Sequence, residues 1–298
     1  MIKTLYYSIS KHLPVTKPLL FRCESIYYNT LYKNYPSHDE WGECSICGKF
    51  SRFRYREYIN RESRIAKSCG WDERFIFEIN TANTLECSFC WSKFRIRCAA
   101  QSLLQSIWKG RFKSIHELVH YTNKSGEEWM ILETSSKYGV LTDYELSNIT
   151  KTEYYDDVDS GNYKDGVRAE DLQALTFLDN SFDAVVISLD VFEHIPNPWK
   201  AFTEVRRVLK PNGVGIITFP LDSRNQHTKT VVEIEDNVIK FLRDPMYHDD
   251  PLRPEGALVF TEFGMDIESK LAEKGFNVSL DVYATKNNTK QYVLLIKK

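Results

Sequence analysis

The stretch LTFLDNSFDAVVISLDVFEHIPNPWKAFTEVRRVLKPNGVGIITFP, residues 175–220, decides the fold of this chain. Its segment 182–189 is an almost continuous apolar run, which is typical of a central parallel strand buried on both faces. Asn197 and Pro198 then predict a helix start, with Asn as the cap and Pro in the first turn. The segment 213–220 predicts the next strand. Strand, helix and strand in this order indicate a parallel sheet covered by helices.

Segments on either side of this stretch extend the same alternation. WMILE (129–133) and ITKTEYY (149–155) predict two earlier strands, and the segments 267–284 and 291–298 predict a helix and two closing strands. Alternation of this kind predicts an α/β fold with a mostly parallel sheet. Ligands bind such a sheet at the carboxyl ends of its strands.

Charge is divided unevenly along the 298 residues. Residues 1–120 hold 19 Lys+Arg against 11 Asp+Glu, whereas residues 121–298 hold 20 against 30. We therefore expect a basic N-terminal region with linking helices at 1–120 and an acidic α/β domain at 121–298. The basic region is compatible with an anionic partner, and equally with a merely solvated face.

The N-terminal residues MIKTLYYSISKHLP lack the apolar core of a signal peptide, because polar residues at 8 and 10–12 interrupt it. No run approaches the roughly 18 apolar residues of a membrane span. The seven cysteines are an odd number, which in such a chain favours reduced thiols over disulfides. We predict a cytoplasmic protein without a transmembrane segment.

Four of the cysteines form two C-x-x-C pairs, Cys44 with Cys47 and Cys87 with Cys90. Each pair places two thiolates on one tight turn, and two such turns supply the four sulfurs of a closed tetrahedral Zn²⁺ site. The 39 residues between the pairs exceed the roughly 15–20 of a common zinc ribbon, so a redox pair or inert buried thiols remain alternatives. We predict a small zinc-knuckle domain with these four cysteines as ligands.

Basic and aromatic residues alternate in KFSRFRYREY (49–58) and KFRIRC (93–98). This pattern is typical of surfaces that hold phosphates and stack bases. It also describes a strand with one buried and one solvated face. Nucleic-acid binding is therefore the less favoured interpretation.

The 175–220 stretch resembles the second half of a class I S-adenosylmethionine-dependent methyltransferase. That family has L-x-F-x-D-x-S-F-D at this place, then a strand, E-H-[IV]-x-[DN]-P, a helix, R-V-L-K-P-G-G and a strand ending in Pro. Nearly every element stands in this chain, with Asn212 in place of one glycine. The resemblance covers roughly residues 127–298. It implies a Rossmann-like sheet of seven mostly parallel strands with helices on both faces.

With its paired cysteines, the chain also resembles bacterial methyltransferases that carry an N-terminal zinc-binding segment. Some of these accompany glycosyltransferases of surface-polysaccharide pathways. This resemblance implies zinc and S-adenosylmethionine as cofactors.

The family's cofactor loop follows the first strand, where an acidic residue and several glycines approach the methionine part of the cofactor. Glu133 and Gly139 occupy the first and last of those places, while Ser135 and Lys137 replace middle glycines. The Ser135 hydroxyl would hydrogen-bond the carboxylate of the cofactor, and Lys137 would point to solvent or pair with that carboxylate. The loop needs backbone shape and room, and not glycine throughout.

Other acidic residues match the family's remaining contacts. Glu153 lies 20 residues after Glu133, the usual offset for an acid that accepts both ribose hydroxyls. Asp171 and Leu172 match the pair that holds adenine, and Asp190 would border the methyl-transfer cleft. The predicted cofactor-binding set is Glu133, Thr134, Ser135, Gly139, Glu153, Tyr154, Asp171, Leu172 and Asp190.

A hydroxyl acceptor loses a proton on methylation, and histidine suits that proton transfer near neutral pH. His194 follows the strand at 182–189, and His248 lies in an acidic insertion, 221–262, that we predict to be an acceptor lid. The leading interpretation is S-adenosylmethionine-dependent O-methylation of a glycan or glycoconjugate. The acceptor would be a small molecule or a glycan, and an anionic one would suit the basic region. The alternatives are an RNA-base methyltransferase and a non-catalytic scaffold with the same fold.

Overall fold

The structure, a computed structural model, describes residues 40–55, 70–135, 139–144, 146–236, 238–248, 250 and 255–298. Its helices are α1 (Glu73–Thr84), α2 (Phe94–Trp108), α3 (Ile115–Ser125), α4 (Pro198–Val208) and α5 (Ile267–Glu273). A single 3-10 turn spans Phe192–His194 among the described residues. No helix in these ranges is long and apolar enough to cross a bilayer.

The strands form one large sheet and several small ones. They are β1 (Glu40–Glu43), β2 (Phe50–Tyr55), β3 (Leu85–Cys87), β4 (Ile131–Thr134), β5 (Ile149–Glu153), β6 (Tyr163–Lys164), β7 (Val167–Ala169), β8 (Phe182–Ile187), β9 (Leu209–Ile217), β10 (Lys229–Thr230), β11 (Val232–Glu235), β12 (Val238–Phe241), β13 (Tyr247–His248), β14 (Ala257–Leu258), β15 (Thr261–Glu262), β16 (Asn277–Ala284) and β17 (Lys290–Lys297). The large sheet has the order β16-β17-β9-β8-β4-β5-β7-β6, and β1, β2 and β3 form a separate antiparallel sheet.

The large sheet is mostly parallel, as predicted. Of its eight described strands, β6 and β17 run against the other six. The structure adds one strand to the seven predicted: the two-residue β6, which pairs with β7 at the sheet edge. The Rossmann-like fold class is therefore confirmed.

Helices cover both faces of this sheet, because successive residues of a strand point to opposite sides. On one face, Leu132 and Val185 pack with residues of α4 and α5. On the other face, Ile131 and Val186 pack with residues of α2 and α3. Among the described residues no helix lies between β4 and β5. The second face is therefore covered by α2, which precedes the sheet in the chain.

The cysteine turns share a hydrophobic cluster with that second face. Cys44 and Cys87 belong to the same cluster as Leu103 of α2 and Ile131 of β4. The division into a zinc-binding region at 1–120 and a methyltransferase domain at 121–298 stays a prediction, and residues 1–39 lie outside the described residues. The helices before residue 121 do more than link, since α2 packs directly on the sheet.

The stretch KFRIRC forms the start of α2 instead of a strand or an exposed basic surface. Arg95 and Arg97 are both buried. Arg97 Nη1 donates to the Leu85 carbonyl at 3.0 Å, and its guanidinium lies 4.0 Å from the centre of the Phe53 ring. These two arginines therefore stabilise the interior and do not offer charge to a nucleic acid.

Candidate functional site

The predicted cofactor residues meet at the carboxyl edge of the large sheet. β8, β4, β5 and β7 are parallel neighbours, so residues at or after their ends share one edge. Glu133 lies near the end of β4, Glu153 ends β5, and Asp171 and Asp190 follow β7 and β8. The acidic residues that the sequence resemblance predicted as cofactor contacts therefore lie along one edge of the sheet.

The Glu133 side chain contacts the residues at 139–141, in the loop that follows β4. Its side chain is fully buried, and its Oε1 accepts a hydrogen bond from the Leu141 backbone N–H at 2.9 Å. A Cβ on Gly139 would lie 2.6 Å from the Glu133 Cδ, so the loop requires glycine there. Burial raises the pKa of Glu133 to about 7 because the charged form loses its hydration.

Ser135 occupies a left-handed backbone conformation, with φ of 55°. Residues other than glycine rarely adopt this backbone conformation. Its Oγ donates to the Glu153 carboxylate at 3.2 Å, which joins the loop to the end of β5. The sequence had assigned this hydroxyl to the carboxylate of the cofactor, whereas the structure directs it to a neighbouring acid. Lys137 lies outside the described residues.

Several polar atoms at this edge are buried and lack a hydrogen-bond partner among the described residues. They are Glu133 Oε2, Thr134 Oγ1 and Ser188 Oγ. Buried polar groups are almost always paired, so these atoms indicate a place where a polar ligand binds. S-adenosylmethionine, with its ammonium group and hydroxyls, fits this set of acceptors. Sequence reasoning missed Ser188, although its place after β8 was a signal.

The surroundings of three predicted cofactor residues, Asp171, Leu172 and Tyr154, do not test their predicted roles. Asp171 Oδ1 accepts from the Gln173 backbone N–H at 2.8 Å. Leu172 is buried in the cluster of α4 and α5, and Tyr154 is 47% exposed. Their roles toward adenine and ribose remain predictions.

Asp190 is held between two elements that sequence reasoning did not connect to it. Thr218 Oγ1 donates to Asp190 Oδ1 at 3.0 Å, and Arg95 of α2 forms an ion pair with Asp190 Oδ2. Burial lowers the pKa of Arg95 to about 10, so its guanidinium stays charged at neutral pH. The residue pattern at 93–98 carried no signal for this contact.

Glu193, His194 and His248 form a second cluster at this edge. His194 Nε2 and His248 Nδ1 each lie 3.6 Å from Glu193 Oε1. The two imidazole rings are 5.0 Å apart at 89°. The structure therefore brings together the two predicted catalytic histidines, and adds a buried carboxylate that the sequence had not placed with them.

The insertion, residues 221–262, contacts the 3-10 turn Phe192–His194 through two hydrogen bonds. The Phe260 backbone N–H donates to the Glu193 carbonyl at 2.7 Å, and His194 Nδ1 donates to the Leu258 carbonyl at 2.9 Å. Burial lowers the pKa of His194. Burial also acts to raise the pKa of Glu193, but the two histidines outweigh it and leave that pKa below its ordinary value. The role of residues 221–262 as a lid stays a prediction.

The four paired cysteines converge, as the zinc prediction requires. Cys44 Sγ lies 3.7 Å from Cys90 Sγ, and Cys47 Sγ lies 3.9 Å from Cys87 Sγ. Four sulfurs around a tetrahedral zinc ion, at the usual Zn–S distance, would be about 3.8 Å apart. All four sulfurs lie within 4.8 Å of one another, so the geometry fits this ion.

Comparison with known proteins agrees with the fold. Residues 133–217 match the family model described as a methyltransferase domain. Over 53 residues the chain is 43% identical to an uncharacterized methyltransferase of Mycobacterium tuberculosis. This match covers 18% of this chain and 20% of that protein. Over 61 residues it is 38% identical to an uncharacterized methyltransferase of Mycobacterium avium, with 20% and 22% covered. The chain thus spans about a fifth of the length of the curated relatives it matches.

Solved structures include an S-adenosylmethionine-dependent methyltransferase from Mesorhizobium loti. The match has 11% identity and a TM-score of 0.36, and it covers 61% of this chain and 97% of that one. So low a score carries no conclusion, and the assignment depends on the sequence match and the sheet. On those grounds, residues 133–217 form a segment that is similar to a methyltransferase domain.

Proposed function

We propose that this protein is an S-adenosylmethionine-dependent methyltransferase that methylates an oxygen of a glycan or glycoconjugate. The observation that carries the activity is the carboxyl edge of the sheet. There Glu133, Glu153 and Asp190 are gathered, within the segment that matches the methyltransferase family model or directly at its border. Buried acceptor atoms without partners among the described residues support a polar ligand at this edge.

When bound, S-adenosylmethionine supplies an electrophilic methyl group. The protein's part is orientation, which alone can contribute several kcal/mol to catalysis. Glu133 and Glu153 would bind the cofactor, and the loop between them is held by the Gly139 approach and the Ser135–Glu153 hydrogen bond. Arg95 and Thr218 fix the Asp190 carboxylate at the border of the cleft.

We assign removal of the acceptor proton to the cluster of Glu193, His194 and His248. Its histidine side chains are 19% and 18% exposed, whereas the Glu193 side chain is 3% exposed. An acceptor can therefore approach the imidazoles from solvent, while the carboxylate stabilises positive charge from behind.

The glycan acceptor rests on the family resemblance alone, whereas the basic N-terminal region suggested the RNA alternative. The RNA alternative loses part of its support, because Arg95 and Arg97 are buried. We also propose that the four paired cysteines bind structural zinc, on the strength of their sulfur separations.

Calorimetric titration of S-adenosylmethionine into the full chain tests the activity at its first step. We expect micromolar binding that Glu153→Ala abolishes. Glu235→Ala, on exposed β11, is the matched control and should bind like the wild type. If folded wild-type protein does not bind, the enzyme proposal is wrong and the non-catalytic scaffold is favoured.

A labelled-methyl assay then compares acceptors. Glycans with free hydroxyl groups and an RNA pool would be supplied separately at low and high salt. Transfer to glycan hydroxyls is expected. Transfer to RNA alone, with steep loss at high salt, would replace the glycan acceptor with a nucleic-acid one.

A further inference from the structure

We propose that Glu193, His194 and His248 bind a divalent first-row transition-metal ion, at a site distinct from the cysteine cluster. The three ligand atoms, Glu193 Oε1, His194 Nε2 and His248 Nδ1, lie within 4.8 Å of one another. Two imidazole nitrogens and one carboxylate oxygen are the donor set of catalytic zinc sites and of non-haem iron sites.

The separations suit a shared ion better than direct hydrogen bonds. Both nitrogens lie 3.6 Å from Glu193 Oε1, which is too far for a hydrogen bond. Ligands bound tetrahedrally at the usual Zn–N and Zn–O distances would be about 3.4 Å apart. A small inward movement of the side chains would therefore complete the coordination.

Glu193 supplies an independent reason for a ligand here. Its side chain is 3% exposed, and neither carboxylate oxygen has a hydrogen-bond partner among the described residues. A buried carboxylate without such a partner is costly, and a cation between it and the histidines would remove that cost. Arg95, a buried cation, forms its ion pair with Asp190 instead.

His194 is already oriented as a metal ligand. A carbonyl oxygen can only accept, so the contact of Nδ1 with the Leu258 carbonyl at 2.9 Å places the proton on Nδ1. The Nε2 lone pair is then directed toward the cluster. Metal-bound histidines almost always donate their second N–H to a backbone carbonyl or a carboxylate.

The other ligand is brought in by the insertion. His248 lies on β13, which pairs with β14 (Ala257–Leu258), the strand that also provides the carbonyl for His194. Trp71 lies over one side of His248, with ring centres 5.8 Å apart. The partly exposed imidazoles leave a side of the cluster open to solvent, as a site with an exchangeable position requires.

A bound ion would change how the acceptor loses its proton, and this role rests on the proposed function. Both imidazoles would be occupied as ligands, so they would not act as bases. The acceptor hydroxyl, bound at the open position, would have its pKa lowered by the metal, and its proton would pass to solvent. This favours an acceptor oxygen that can coordinate a metal, such as a sugar hydroxyl.

The test measures metal binding without S-adenosylmethionine, on the full chain. Elemental analysis after incubation with Zn²⁺ should give one more equivalent in wild type than in Glu193→Gln or His248→Ala. Titration with Co²⁺ after zinc has filled the cysteines should give visible d–d bands without a thiolate charge-transfer band. We expect affinity to fall at least about 100-fold in both variants. His227→Gln is the matched control, since His227 is exposed in the same insertion.

Thermal unfolding of each variant shows whether it is folded, and Glu193→Gln keeps the shape of the side chain if His248→Ala fails. Equal metal content in wild type and folded variants, or no Co²⁺ bands, would overturn the metal site. Metal binding without S-adenosylmethionine binding would leave the site standing and remove the proposed function. S-adenosylmethionine binding without metal binding at these residues would overturn the metal site and leave the proposed function standing.

Discussion

The cysteine cluster and the carboxyl edge of the sheet hold their polar atoms in different ways. The four sulfurs stand at the separations of a closed tetrahedral site. The edge instead holds buried oxygens of Glu133, Thr134 and Ser188 without partners among the described residues, next to backbone in left-handed conformations at Ser135 and Asp190. A closed cluster stabilises the fold, whereas an open and strained edge is typical of a place where a ligand is received. Arg95 joins the two, because α2 starts just after Cys90 and carries this side chain to Asp190.

The largest effect should follow loss of the closed cluster. Cys87→Ser removes one of the four proposed zinc ligands, and structural zinc contributes about 10 kcal/mol or more to small domains. We expect the variant to lose its metal and at least about 3 kcal/mol of unfolding free energy, measured by urea denaturation with elemental analysis. Cys98→Ser, buried in the same hydrophobic cluster, is the control and should keep the metal. Equal losses without a change in metal content would show that the four cysteines are ordinary core residues.

The connection between the two regions is broken by Arg95→Met. Asp190, whose side chain is only 15% exposed, would lose its buried cation, and we expect a loss of about 2–4 kcal/mol. Adding Asp190→Asn should restore most of that loss, because the unpaired charge is gone. Urea denaturation of both variants measures this, and simple additivity of the two changes would contradict the pairing.

Crowding at the edge is tested by Gly139→Ala. Its Cβ would contact the buried Glu133 carboxyl group, and overpacking of this kind costs about 1–3 kcal/mol. We expect weaker S-adenosylmethionine binding in calorimetry as well as lower stability. Combining it with Glu133→Ala, which removes the obstructing side chain, should cost less than the sum of the single changes. A strictly additive double variant would argue against the contact.

Protonation of Glu133 makes the edge sensitive to pH. Its pKa of about 7 in the folded protein is above the ordinary value, so the folded protein binds this proton more tightly than the unfolded chain does. The resulting stability is full below the ordinary pKa and is lost as pH rises through about 7. Glu133→Gln should therefore gain about 1–3 kcal/mol relative to wild type between about pH 5 and pH 8. Urea denaturation of both proteins at the two pH values measures this. The same stability difference between Glu133→Gln and wild type at both pH values would contradict it.

The smallest effect is expected at Ser135. Both Ser135→Gly and Ser135→Ala remove the hydrogen bond to Glu153, but only glycine relieves the left-handed strain of about 1 kcal/mol. The glycine variant should therefore be more stable than the alanine variant by about that amount. Thermal unfolding of the pair measures it, and the reverse order would show that the conformation at Ser135 is not strained.

Much of the fold follows from local pattern. The apolar run at β8 and the Asn197–Pro198 start of α4 are short-range signals, and the structure has both elements. The C-x-x-C pairs likewise encode two tight turns. Each of these features depends on neighbours in the sequence, so reading the sequence in short windows finds it.

The missing features depend on residues that meet only after folding. The alternation in KFRIRC gave no sign that α2 would begin there and bury Arg95 against Asp190. Similarly, the hydroxyl of Ser135 could be paired with a cofactor in sequence, but its distance to Glu153 follows from how β4 and β5 align. His248 joins Glu193 and His194 only through the docking of the insertion. Contacts of this kind are set by tertiary packing, which the periodicity of one segment does not report.

The position of β17 has a consequence for biosynthesis. This strand, late in the sequence, lies between β9 and β16 with its central residues buried, and α2 contacts the β16–β17 hairpin through the Ser102 hydroxyl at 2.7 Å from Asp281. A nascent chain that lacks these residues therefore exposes an unpaired edge of β9 and part of the apolar surface of α2. Contacts so distant in sequence slow folding and expose the chain to aggregation. We expect ribosome-bound chains stalled before residue 290 to bind chaperones that recognise apolar segments, and full-length chains to release them.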